Sequence, residues 1–243
     1  MIRHAVILAG GSGTRLRPVT LEIPKPLVPV QGLPIVSWQV RWLARHGVEE
    51  VTVVIAPRWR QQFTRWAEEL MKEVPVKIVL HEESEPMGTM GAMVHHLRDR
   101  WTEPVLVTNG DELKGLNLSV LVEKHLQLKA QDPQHAVTLG LIRVFNPSDY
   151  GVAEMENDHI VKFHNKPAHP PTNLINSGLY ILEPSVLHEV DRSKSFLMFE
   201  EDLFPLLANA RRLGGAPLEG LWYDCGTLER WEKAIKEWKE PEV

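Results

Sequence analysis

The sequence has a single cysteine, Cys225, and no long apolar run among its 243 residues. One cysteine excludes an internal disulfide framework and a zinc site built from cysteines. The apolar segment nearest the N-terminus covers residues 5–11. It is too short for the core of a secretory signal or for a membrane-spanning helix. We therefore expect a cytoplasmic protein that does not associate with a membrane.

The sequence also lacks a strong excess of either charge. Lysine and arginine total 27 and aspartate and glutamate total 32, which gives a formal net charge of −5. A general nucleic-acid-binding protein usually presents a basic face, so this composition argues against a nucleic-acid partner. It remains compatible with a pocket for a phosphate group, because such a pocket needs only a few local cations.

Apolar runs alternate with helical periodicity in the first half of the chain. Predicted strands cover residues 5–9, 51–56, 76–80 and 104–108, and predicted helices cover residues 33–46, 61–72 and 91–100. This alternation predicts an α/β fold with a doubly wound, mostly parallel sheet. Ligands of such sheets bind at the carboxyl ends of the strands. The residues that follow strands 5–9 and 104–108 are therefore expected to share a site.

The second half of the chain is less regular. Predicted helices cover residues 118–129, 200–212 and 227–239, and predicted strands cover residues 136–144, 152–155, 159–163 and 179–182. The chain shows neither an internal repeat nor a clear linker. We therefore predict one continuous domain over residues 1–243.

A glycine-rich loop follows the first predicted strand. The segment that enters and forms this loop is Leu8, Ala9, Gly10, Gly11, Ser12, Gly13 and Thr14. It lacks the third glycine of the dinucleotide fingerprint, which is replaced by Leu16, and the Gly-Lys-Ser/Thr element of the P-loop. Glycines still allow backbone N–H groups to approach an anion closely. The loop therefore suits a phosphate group, and a tight turn without a ligand is the alternative.

Cationic residues follow the glycine loop. Arg15 and Arg17 come first, and Lys25 stands between Pro24 and Pro26. The two prolines disfavour a helix and fix the local backbone, so we expect Lys25 to lie on a shaped loop. A guanidinium and an ammonium beside such a loop could bind a triphosphate. The alternative is a set of solvated surface cations.

Two aspartates lie far apart in the sequence. Asp111 ends the segment Asn109-Gly110-Asp111 after a predicted strand, and Asp224 precedes Cys225 and a glycine. Mg²⁺ prefers a few carboxylate oxygens together with phosphate oxygens and water. Two aspartates at strand ends could supply those carboxylates. From spacing alone, either could instead be a turn or helix-cap residue.

The segment from Leu8 to Val30, with its Gly-Gly-Ser-Gly-Thr-Arg and Pro-Lys-Pro elements, resembles the opening of the sugar-1-phosphate nucleotidylyltransferases. It is especially similar to mannose-1-phosphate guanylyltransferases and their short bacterial relatives. The resemblance extends over residues 5–231. It implies a Rossmann-like three-layer α/β/α sandwich without the C-terminal β-helix of some longer relatives. It further implies a nucleotide-binding half (residues 1–111), a sugar-phosphate-binding subregion (112–220), and a final segment with a metal-binding aspartate and a closing helix (221–243).

The resemblance implies an enzyme that joins a nucleoside triphosphate to a sugar-1-phosphate and releases pyrophosphate. Arg15, Lys25 and Asp111 would be catalytic: Arg15 would hold the pyrophosphate and Lys25 the α-phosphate region. Mg²⁺ would bind Asp111 and Asp224. The glycine loop and Asn109 would contact the nucleotide.

The resemblance places the nucleobase contacts between residues 82 and 92. Gly88 would lie close to the base, and Glu82 or Glu83 would bind its edge. An acidic side chain suits guanine, whose N1–H and N2–H₂ groups are donors. Which of Glu82, Glu83 and Glu85 faces the base stays open. A capped helix start at Thr89 is the alternative explanation of this segment.

The resemblance assigns the sugar phosphate to Gly151, Asn165, Lys166 and Asn176. Lys166 would bind the phosphate group, and Gly151 and Asn176 would face the sugar hydroxyls. Many relatives have Glu-Lys-Pro where this chain has Asn165 before Lys166, so the sugar itself stays open.

Several alternatives remain for the substrates and for the function class. GTP with mannose-1-phosphate is the favoured pair, and a uridylyl- or thymidylyltransferase that acts on glucose- or muramic-type sugar phosphates is the nearest alternative. A regulator that binds a sugar nucleotide without catalysis is an alternative of another class. Trp59 and Trp66 could share an exposed helix face, which would favour a homodimer.

Overall fold

The computed structural model describes residues 2–240 of the chain. The strands are β1 (His4–Leu8), β2 (Pro29–Val30), β3 (Leu33–Pro34), β4 (Glu50–Ile55), β5 (Lys77–Glu82), β6 (Val105–Asn109), β7 (Glu112–Leu116), β8 (Val137–Arg143), β9 (Gly151–Glu156), β10 (His159–Asn165), β11 (Leu174–Leu182), β12 (Leu213–Pro217) and β13 (Gly220–Asp224). The α-helices are α1 (Ile35–Arg45), α2 (Arg60–Leu70), α3 (Leu118–Gln131), α4 (Phe204–Asn209) and α5 (Leu228–Glu237). Two π-helical segments cover Met93–Leu97 and Phe199–Leu203.

The described residues form two compact units. The first unit takes its described residues from three stretches of chain, Met1–Pro86, Thr108–Leu116 and Gly220–Val243. The second unit consists of Met87–Val107 and Asn117–Glu219. Within the described part of the chain, no helix has both the length and the apolar composition needed to cross a membrane.

The first unit contains the parallel strands that the alternating pattern predicts. Strand β4 pairs in parallel with β1 on one side and with β5 on the other. Residues 51–55 of β4 are buried and all but Thr52 are apolar, as expected for a strand with neighbours on both sides. Helix α1 buries Val36, Val40 and Leu43 at helical spacing, and the indole of Trp66 on α2 donates a hydrogen bond to the Ser37 hydroxyl at 2.8 Å.

The same unit contains a two-stranded antiparallel ribbon that the hydrophobic pattern does not predict. Strand β7 pairs with β13 over five residue pairs, from Gly220 opposite Leu116 to Asp224 opposite Glu112. Helix α5 begins after Thr227, whose hydroxyl accepts a hydrogen bond from the Arg230 N–H. The ribbon and α5 contribute to one buried apolar cluster, whose members are Leu16, Val28, Val30, Ile35, Leu113, Cys225, Ala234 and Trp238.

The second unit contains a mixed sheet with the strand order β11-β8-β12-β10-β9. Strand β12 runs parallel to β8, whereas the β11–β8, β10–β12 and β10–β9 pairs are antiparallel. The α/β class is therefore confirmed, and antiparallel strands accompany the parallel ones in this unit. Helix α3 begins at Leu118 with Asn117 as its cap, because the Asn117 side chain accepts a hydrogen bond from the Ser119 N–H.

Some local predictions differ from the structure. The single helix expected over residues 200–212 is a π-helical segment followed by α4, which ends at Asn209. The strand expected over residues 179–182 is the end of β11, which begins at Leu174. Trp59 and Trp66 are each only 9% exposed, so they form no exposed surface pair. No α-helix forms at Lys25, in agreement with the two prolines beside it, and the loop there contains a short 3₁₀ turn, Lys25–Leu27. The homodimer stays a prediction.

A buried group of histidines in the second unit makes the stability of the fold depend on pH. His135 Nε2 lies 2.8 Å from the Thr138 hydroxyl, and His125 Nδ1 lies 3.0 Å from the same oxygen. Burial is the main cause that lowers the pKa of His135 to about 3, and the neighbouring charges of His125, His159 and Lys129 lower it further. The folded protein therefore keeps His135 neutral well below the pKa of about 6.5 that an unfolded chain gives histidine.

We expect the free energy of unfolding to fall as the pH drops from about 6.5 toward 3, because the unfolded state then binds a proton that the folded state does not. The His135→Gln variant keeps a donor for Thr138 but does not titrate. Urea unfolding at about pH 7.5 and about pH 5 should show a smaller loss of stability for this variant than for the wild type. Equal losses in the two proteins would contradict the assignment of this pH dependence to His135.

Candidate active site

The glycine loop follows β1 directly in the first unit. The Ala9 N–H donates to the Val54 carbonyl at 2.9 Å, which extends the strand pairing up to the loop. Gly13 has φ +64°, a conformation that glycine adopts without strain, and the Thr20 hydroxyl donates to its carbonyl at 2.7 Å. Gly11 and Ser12 are exposed. The loop therefore has a fixed far end and an accessible middle, as a phosphate-binding loop requires.

The two predicted catalytic cations differ in their surroundings. Arg15 lies in a 3₁₀ turn after the loop, and its side chain is exposed. Lys25 is only 8% exposed, and its ammonium forms an ion pair with the Asp111 carboxylate. The structure thus brings Lys25 and Asp111 together although 86 positions separate them in the sequence. A buried lysine held by its anion is a positioned charge rather than a solvated surface cation.

Asp111 is ionised in this setting. Burial alone would raise the pKa of its carboxyl group, but the Lys25 ammonium opposes that effect as a charge and as a hydrogen-bond donor. The Lys114 ammonium adds a further favourable charge, and the net pKa of Asp111 lies below its usual value. The carboxylate is therefore available as an anionic ligand throughout the physiological pH range.

Asp224 ends β13 in the same unit and is held by two donors. One carboxylate oxygen accepts from the Gly226 N–H at 2.6 Å, and the other accepts from the Arg230 guanidinium at 2.6 Å. The first of these bonds is the turn interaction that the sequence left open for this residue. The side chain is 10% exposed. Asp224 is consequently a fixed carboxylate with its negative charge partly compensated.

Cys225 follows Asp224 in the chain and is hydrogen-bonded to the backbone of Asp111. Its N–H donates to the Asp111 carbonyl at 3.1 Å, and its side chain is completely buried, as predicted for a small residue at this position. The pKa of its thiol is raised, first by burial and then by the negative charges of Asp111 and Asp224. The structure therefore places both aspartates around one buried residue.

The carboxylates of these two aspartates are the kind of donors that a hard divalent cation prefers. Mg²⁺ is usually held by one or two carboxylates, with water and substrate phosphates completing its coordination. Within residues 2–240, no group of three or more His, Cys, Asp or Glu residues is arranged to hold a metal by itself. A pair of carboxylates without further protein ligands is thus the kind of site that would share its cation with a phosphate substrate.

The structure distinguishes Glu82, Glu83 and Glu85, which the sequence alone could not rank as contacts to the base. Glu82 ends β5 and forms an ion pair with Arg60, and Glu85 is exposed. Glu83 is 7% exposed, and one of its oxygens lies only 2.5 Å from the point where a Cβ on Gly10 would be. Burial raises the pKa of Glu83 to about 7. Glu83 is therefore the acidic residue that lies against the glycine loop.

In the second unit, the backbone conformation and packing at position 88 leave room only for a glycine. It has φ +80°, and a Cβ at this position would lie 2.2 Å from the carbonyl oxygen of Leu197. The Leu197 N–H donates to the Met87 carbonyl at 2.9 Å, and the Leu197 carbonyl accepts from the Met90 N–H at 2.9 Å. Close packing of two backbone segments therefore accounts for a glycine here, whether or not a base also contacts it.

We expect the Gly88→Ala variant to be destabilised by roughly 2–4 kcal/mol or more, because the left-handed conformation and the backbone clash both oppose a methyl group. Thermal unfolding of the variant beside Gly32→Ala is the measurement. Gly32 has a similar φ of +82° but no atom within 4 Å of its Cβ position. Equal losses of stability in the two variants would show that the contact with Leu197 does not matter.

The predicted sugar-phosphate residues all lie in the second unit. Gly151 begins β9 opposite Asn165, which ends β10 and donates to Glu201 at 2.9 Å. Lys166 follows with φ +48° and an exposed side chain. Asn176 lies at an irregularity of β11, where its side-chain oxygen accepts from the Gly178 N–H at 3.0 Å. Gly151, Asn165 and Lys166 therefore lie together at one end of the β9–β10 pair.

The same unit holds an acidic residue that the sequence did not single out. Glu200 accepts a hydrogen bond from the Thr89 hydroxyl at 2.8 Å, and that hydroxyl accepts from the Phe199 N–H at 3.0 Å. Thr89 thus caps the segment that begins at Phe199 rather than the start of its own helix. Burial raises the pKa of Glu200, while the Thr89 hydrogen bond and the Lys166 charge act in the opposite direction.

Sequence reasoning also missed the groups that surround the aspartates. Glu112 and Lys114 form a buried ion pair, and the Trp222 indole donates to Glu112 at 3.1 Å. The Gln39 side-chain amide donates to the carbonyls of Asn109 and Glu112 at 2.8 and 2.6 Å. Opposite charges two residues apart lie on the same face of a strand, which was the available signal. Because strand β7 was not predicted, the ion pair between Glu112 and Lys114 could not be inferred from their spacing.

Comparison with known proteins gives a consistent result. The model of the Nucleotidyl transferase family matches residues 4–240. A mannose-1-phosphate guanyltransferase beta-B of Xenopus laevis is 34% identical over 226 residues, and mannose-1-phosphate guanylyltransferase 1 of Arabidopsis thaliana is 34% identical over 227 residues. Each alignment covers 91% of this chain and 61% of the relative. The chain thus spans about three fifths of the length of these curated relatives.

Solved structures share the fold over almost the whole chain. HddC from Yersinia pseudotuberculosis is 26% identical, with a TM-score of 0.78 and coverage of 97% of this chain and 99% of that one. A UDP-glucose pyrophosphorylase solved with UDP-glucose is 23% identical, with a TM-score of 0.77 and coverage of 97% and 98%. The second likeness shows the fold alone. The Rossmann-like α/β fold is thereby confirmed.

Proposed function

We propose, from the premise that the chain belongs to the Nucleotidyl transferase family, that it transfers a nucleoside monophosphate from a nucleoside triphosphate to a sugar-1-phosphate. An oxygen of the sugar phosphate forms a bond to the α-phosphorus, the bond from that phosphorus to the bridging oxygen breaks, and pyrophosphate leaves. GTP and mannose-1-phosphate are the proposed pair, since relatives at 34% identity carry that name.

The observation that carries this proposal is the arrangement of Lys25, Asp111 and Asp224 in the unit that contains the glycine loop. Lys25 and Asp111 form an ion pair, and Asp224 lies on the strand paired with the one that follows Asp111. The attacking sugar phosphate is already an anion, so no side-chain nucleophile is needed. Fixed charges and alignment of the substrates are the contributions that phosphoryl transfer demands of a protein.

Each charged group has a distinct proposed role. The glycine loop binds the triphosphate through its backbone N–H groups, and Arg15, whose side chain is exposed, holds the departing pyrophosphate. Lys25 stabilises the charge that develops at the α-phosphate. Asp111 and Asp224 would hold Mg²⁺, which when bound would supply positive charge for the phosphate oxygens.

The second unit would supply the contacts to the sugar phosphate. Lys166 is the proposed phosphate ligand, and its exposed ammonium needs no rearrangement of the surrounding chain to bind an anion. Asn176 and Gly151 are the proposed contacts to the sugar hydroxyls. Asn165, which stands where many relatives have glutamate, makes the identity of the sugar a separate question for experiment.

Glu83 is the proposed ligand of the nucleobase. Its carboxylate, in the ionised form, would accept hydrogen bonds from the N1–H and N2–H₂ donors of guanine. The raised pKa of about 7 also favours a second candidate. A protonated carboxyl group both donates and accepts, which suits the N3–H and carbonyl pattern of uracil or thymine, so a uridylyl- or thymidylyltransferase is the alternative.

The test is pyrophosphate release from each common nucleoside triphosphate against a panel of sugar-1-phosphates, with and without Mg²⁺. Release that requires both substrates and the metal would establish the reaction, and the fastest pair would identify the substrates. If no pair reacts while a sugar nucleotide still binds, the protein is a sugar-nucleotide-binding regulator, and the proposed catalysis is wrong.

A further inference from the structure

Glu112, at the centre of a buried network in the first unit, has no role in the function proposed above. The Glu112 side chain, which is 9% exposed, accepts three hydrogen bonds. One oxygen accepts from the Asn109 amide at 3.0 Å. The other accepts from the Lys114 ammonium at 2.6 Å and from the Trp222 indole at 3.1 Å. One carboxylate therefore links β6, β7 and β13.

Burying the charges of this network costs free energy, so the network is a poor way to stabilise a fold. The Lys114 side chain has no exposed surface, and its ammonium is paired with a carboxylate that is almost as deeply buried. Removing two charges from water costs several kcal/mol per ion, and apolar residues of similar size often stabilise a protein equally well or better. A role in positioning other groups explains such a pair better than stability does.

The position of Glu112 connects the network to both aspartates. Glu112 follows Asp111 directly in the chain, and its backbone lies opposite Asp224 in the ribbon. The bond from the Trp222 indole runs from β13 to β7 two residues before Asp224. The side chain of Glu112 thus fastens together the two strands that carry or adjoin the aspartates.

The turn before Asp111 is held from its other end as well. The Asn109 side chain donates to Glu112, and the Gln39 amide donates to the carbonyls that precede and follow the turn, those of Asn109 and Glu112. The backbone around Asp111 is therefore fixed in part by Gln39 and Glu112, whose side chains are buried and cannot themselves touch a substrate.

We propose that Glu112 is a positioning residue that holds the carboxylates of Asp111 and Asp224 in register for a divalent cation. This inference rests on the function proposed above. It differs from a purely structural role in one respect: losing the hydrogen bonds of Glu112 should weaken metal binding even when the stability of the fold is preserved. Second-layer partners of metal ligands have effects of this kind.

Four proteins separate positioning from stability. Glu112→Gln leaves the Lys114 ammonium buried without an anion, so this variant is expected to lose stability. The double variant Glu112→Gln/Lys114→Met removes that charge, but its side chain has an NH₂ group in place of one carboxylate oxygen. Asn109 and Trp222 donate to different oxygens of Glu112, so this NH₂ group must face one of these two donors. Lys114→Met alone leaves both of those bonds to Glu112. It removes the cation of a buried carboxylate, so this variant is also expected to lose stability. Val53→Ala, at a fully buried position of β4, serves as the destabilised control.

The measurement is binding of Mn²⁺, used as a paramagnetic substitute for Mg²⁺. Electron paramagnetic resonance measures the concentration of free Mn²⁺. The titration is done with the full-length protein alone and again in the presence of an α,β-methylene analogue of GTP. We expect the double variant to bind Mn²⁺ at least about tenfold more weakly than the wild type at a melting temperature near that of the wild type. Val53→Ala should keep the affinity of the wild type, and Lys114→Met should bind Mn²⁺ more tightly than the double variant does, because it keeps the bonds from Asn109 and Trp222 to Glu112.

Unchanged Mn²⁺ affinity in both Glu112 variants would overturn the inference and leave the proposed function standing. A loss of affinity in Val53→Ala that matches the loss in the double variant would also overturn it, because stability would then explain the effect. If the wild type binds no Mn²⁺ in either condition, the proposed metal site is wrong and the inference falls with it.

Discussion

Asp111→Asn should lower turnover at least about a hundredfold at saturating substrates and Mg²⁺, because an amide cannot replace the negative charge at a site that works by electrostatic stabilisation. The fold should survive, since the Asp111 side chain is 31% exposed and the amide oxygen of asparagine can still accept a hydrogen bond from the Lys25 ammonium. The measurement is single-turnover pyrophosphate release, accompanied by thermal unfolding of each protein.

The matched control is Asp99→Asn, which removes an aspartate that is 75% exposed and pairs with His188. Its activity should equal that of the wild type. Lys25→Met should lose activity to a similar degree as Asp111→Asn, and combining the two substitutions should cost less than the sum of the separate losses, because both act on one ion pair. A folded Asp111→Asn protein with wild-type turnover would remove Asp111 from the catalytic site.

Glu83→Gln should lower the preference for GTP over UTP, expressed as the ratio of the two kcat/KM values, by at least about tenfold. The carboxylate has two acceptor oxygens for the two guanine donors, whereas the amide of glutamine offers one acceptor and one donor. The latter pattern matches a pyrimidine edge. Competition between the two nucleotides in one reaction measures the ratio directly.

The neighbouring residue provides the control. Glu82→Gln changes the same chemical group one residue away, where the carboxylate pairs with Arg60 instead of lying against the glycine loop, so the nucleotide preference should not change. An equal change in the GTP-over-UTP preference of both variants would mean that Glu83 does not determine which base binds.

The pH gives an independent test of the same residue. The pKa of Glu83 is about 7, so its carboxylate fraction rises as the pH increases through that value. The wild-type preference for GTP over UTP should therefore increase from about pH 6 to about pH 8, whereas the preference of Glu83→Gln should stay constant. A parallel increase in both proteins would assign the pH dependence to another group.

The sequence predicted the regular part of the fold because buried strands and amphipathic helices leave strong patterns. The predicted strand 51–56 and β4 differ by one residue at each end, and the predicted helix 118–129 begins where α3 begins. The helix over residues 91–100 was also expected, although its centre adopts π-helical hydrogen bonding. Pattern reasoning succeeds where apolar burial dictates the structure.

Strands β2, β3, β7, β12 and β13 were not predicted, and β12 shows the physical reason clearly. Strand β12 contains Gly214 and Gly215 and ends in a proline, a composition typical of loops. The two glycines leave room for Leu128 and Met155, whose atoms lie within 3 Å of the positions where Cβ atoms would be. Tertiary packing, not local preference, makes this segment a strand.

The members of the candidate site could be named from the sequence, but their partners could not. Asp111 and Lys25 were both identified, yet nothing in the sequence joins them in an ion pair. Successive residues of a strand face opposite sides, so Glu82 and Glu83 could not both lie against the glycine loop. The sequence could not say which of them does, because that depends on the sheet to which β5 belongs.

The division of the first unit into three stretches has a consequence for the protein as it is being made. During translation Lys25 is synthesised first and Asp111 second. Asp224 is added only after the whole of Asn117–Glu219 has been synthesised. A chain released before Gly220 would contain the glycine loop and one carboxylate, but neither the second aspartate nor the strand that pairs with β7. Prematurely terminated products of this gene are therefore expected to be inert, and they would not consume nucleoside triphosphates in the cell.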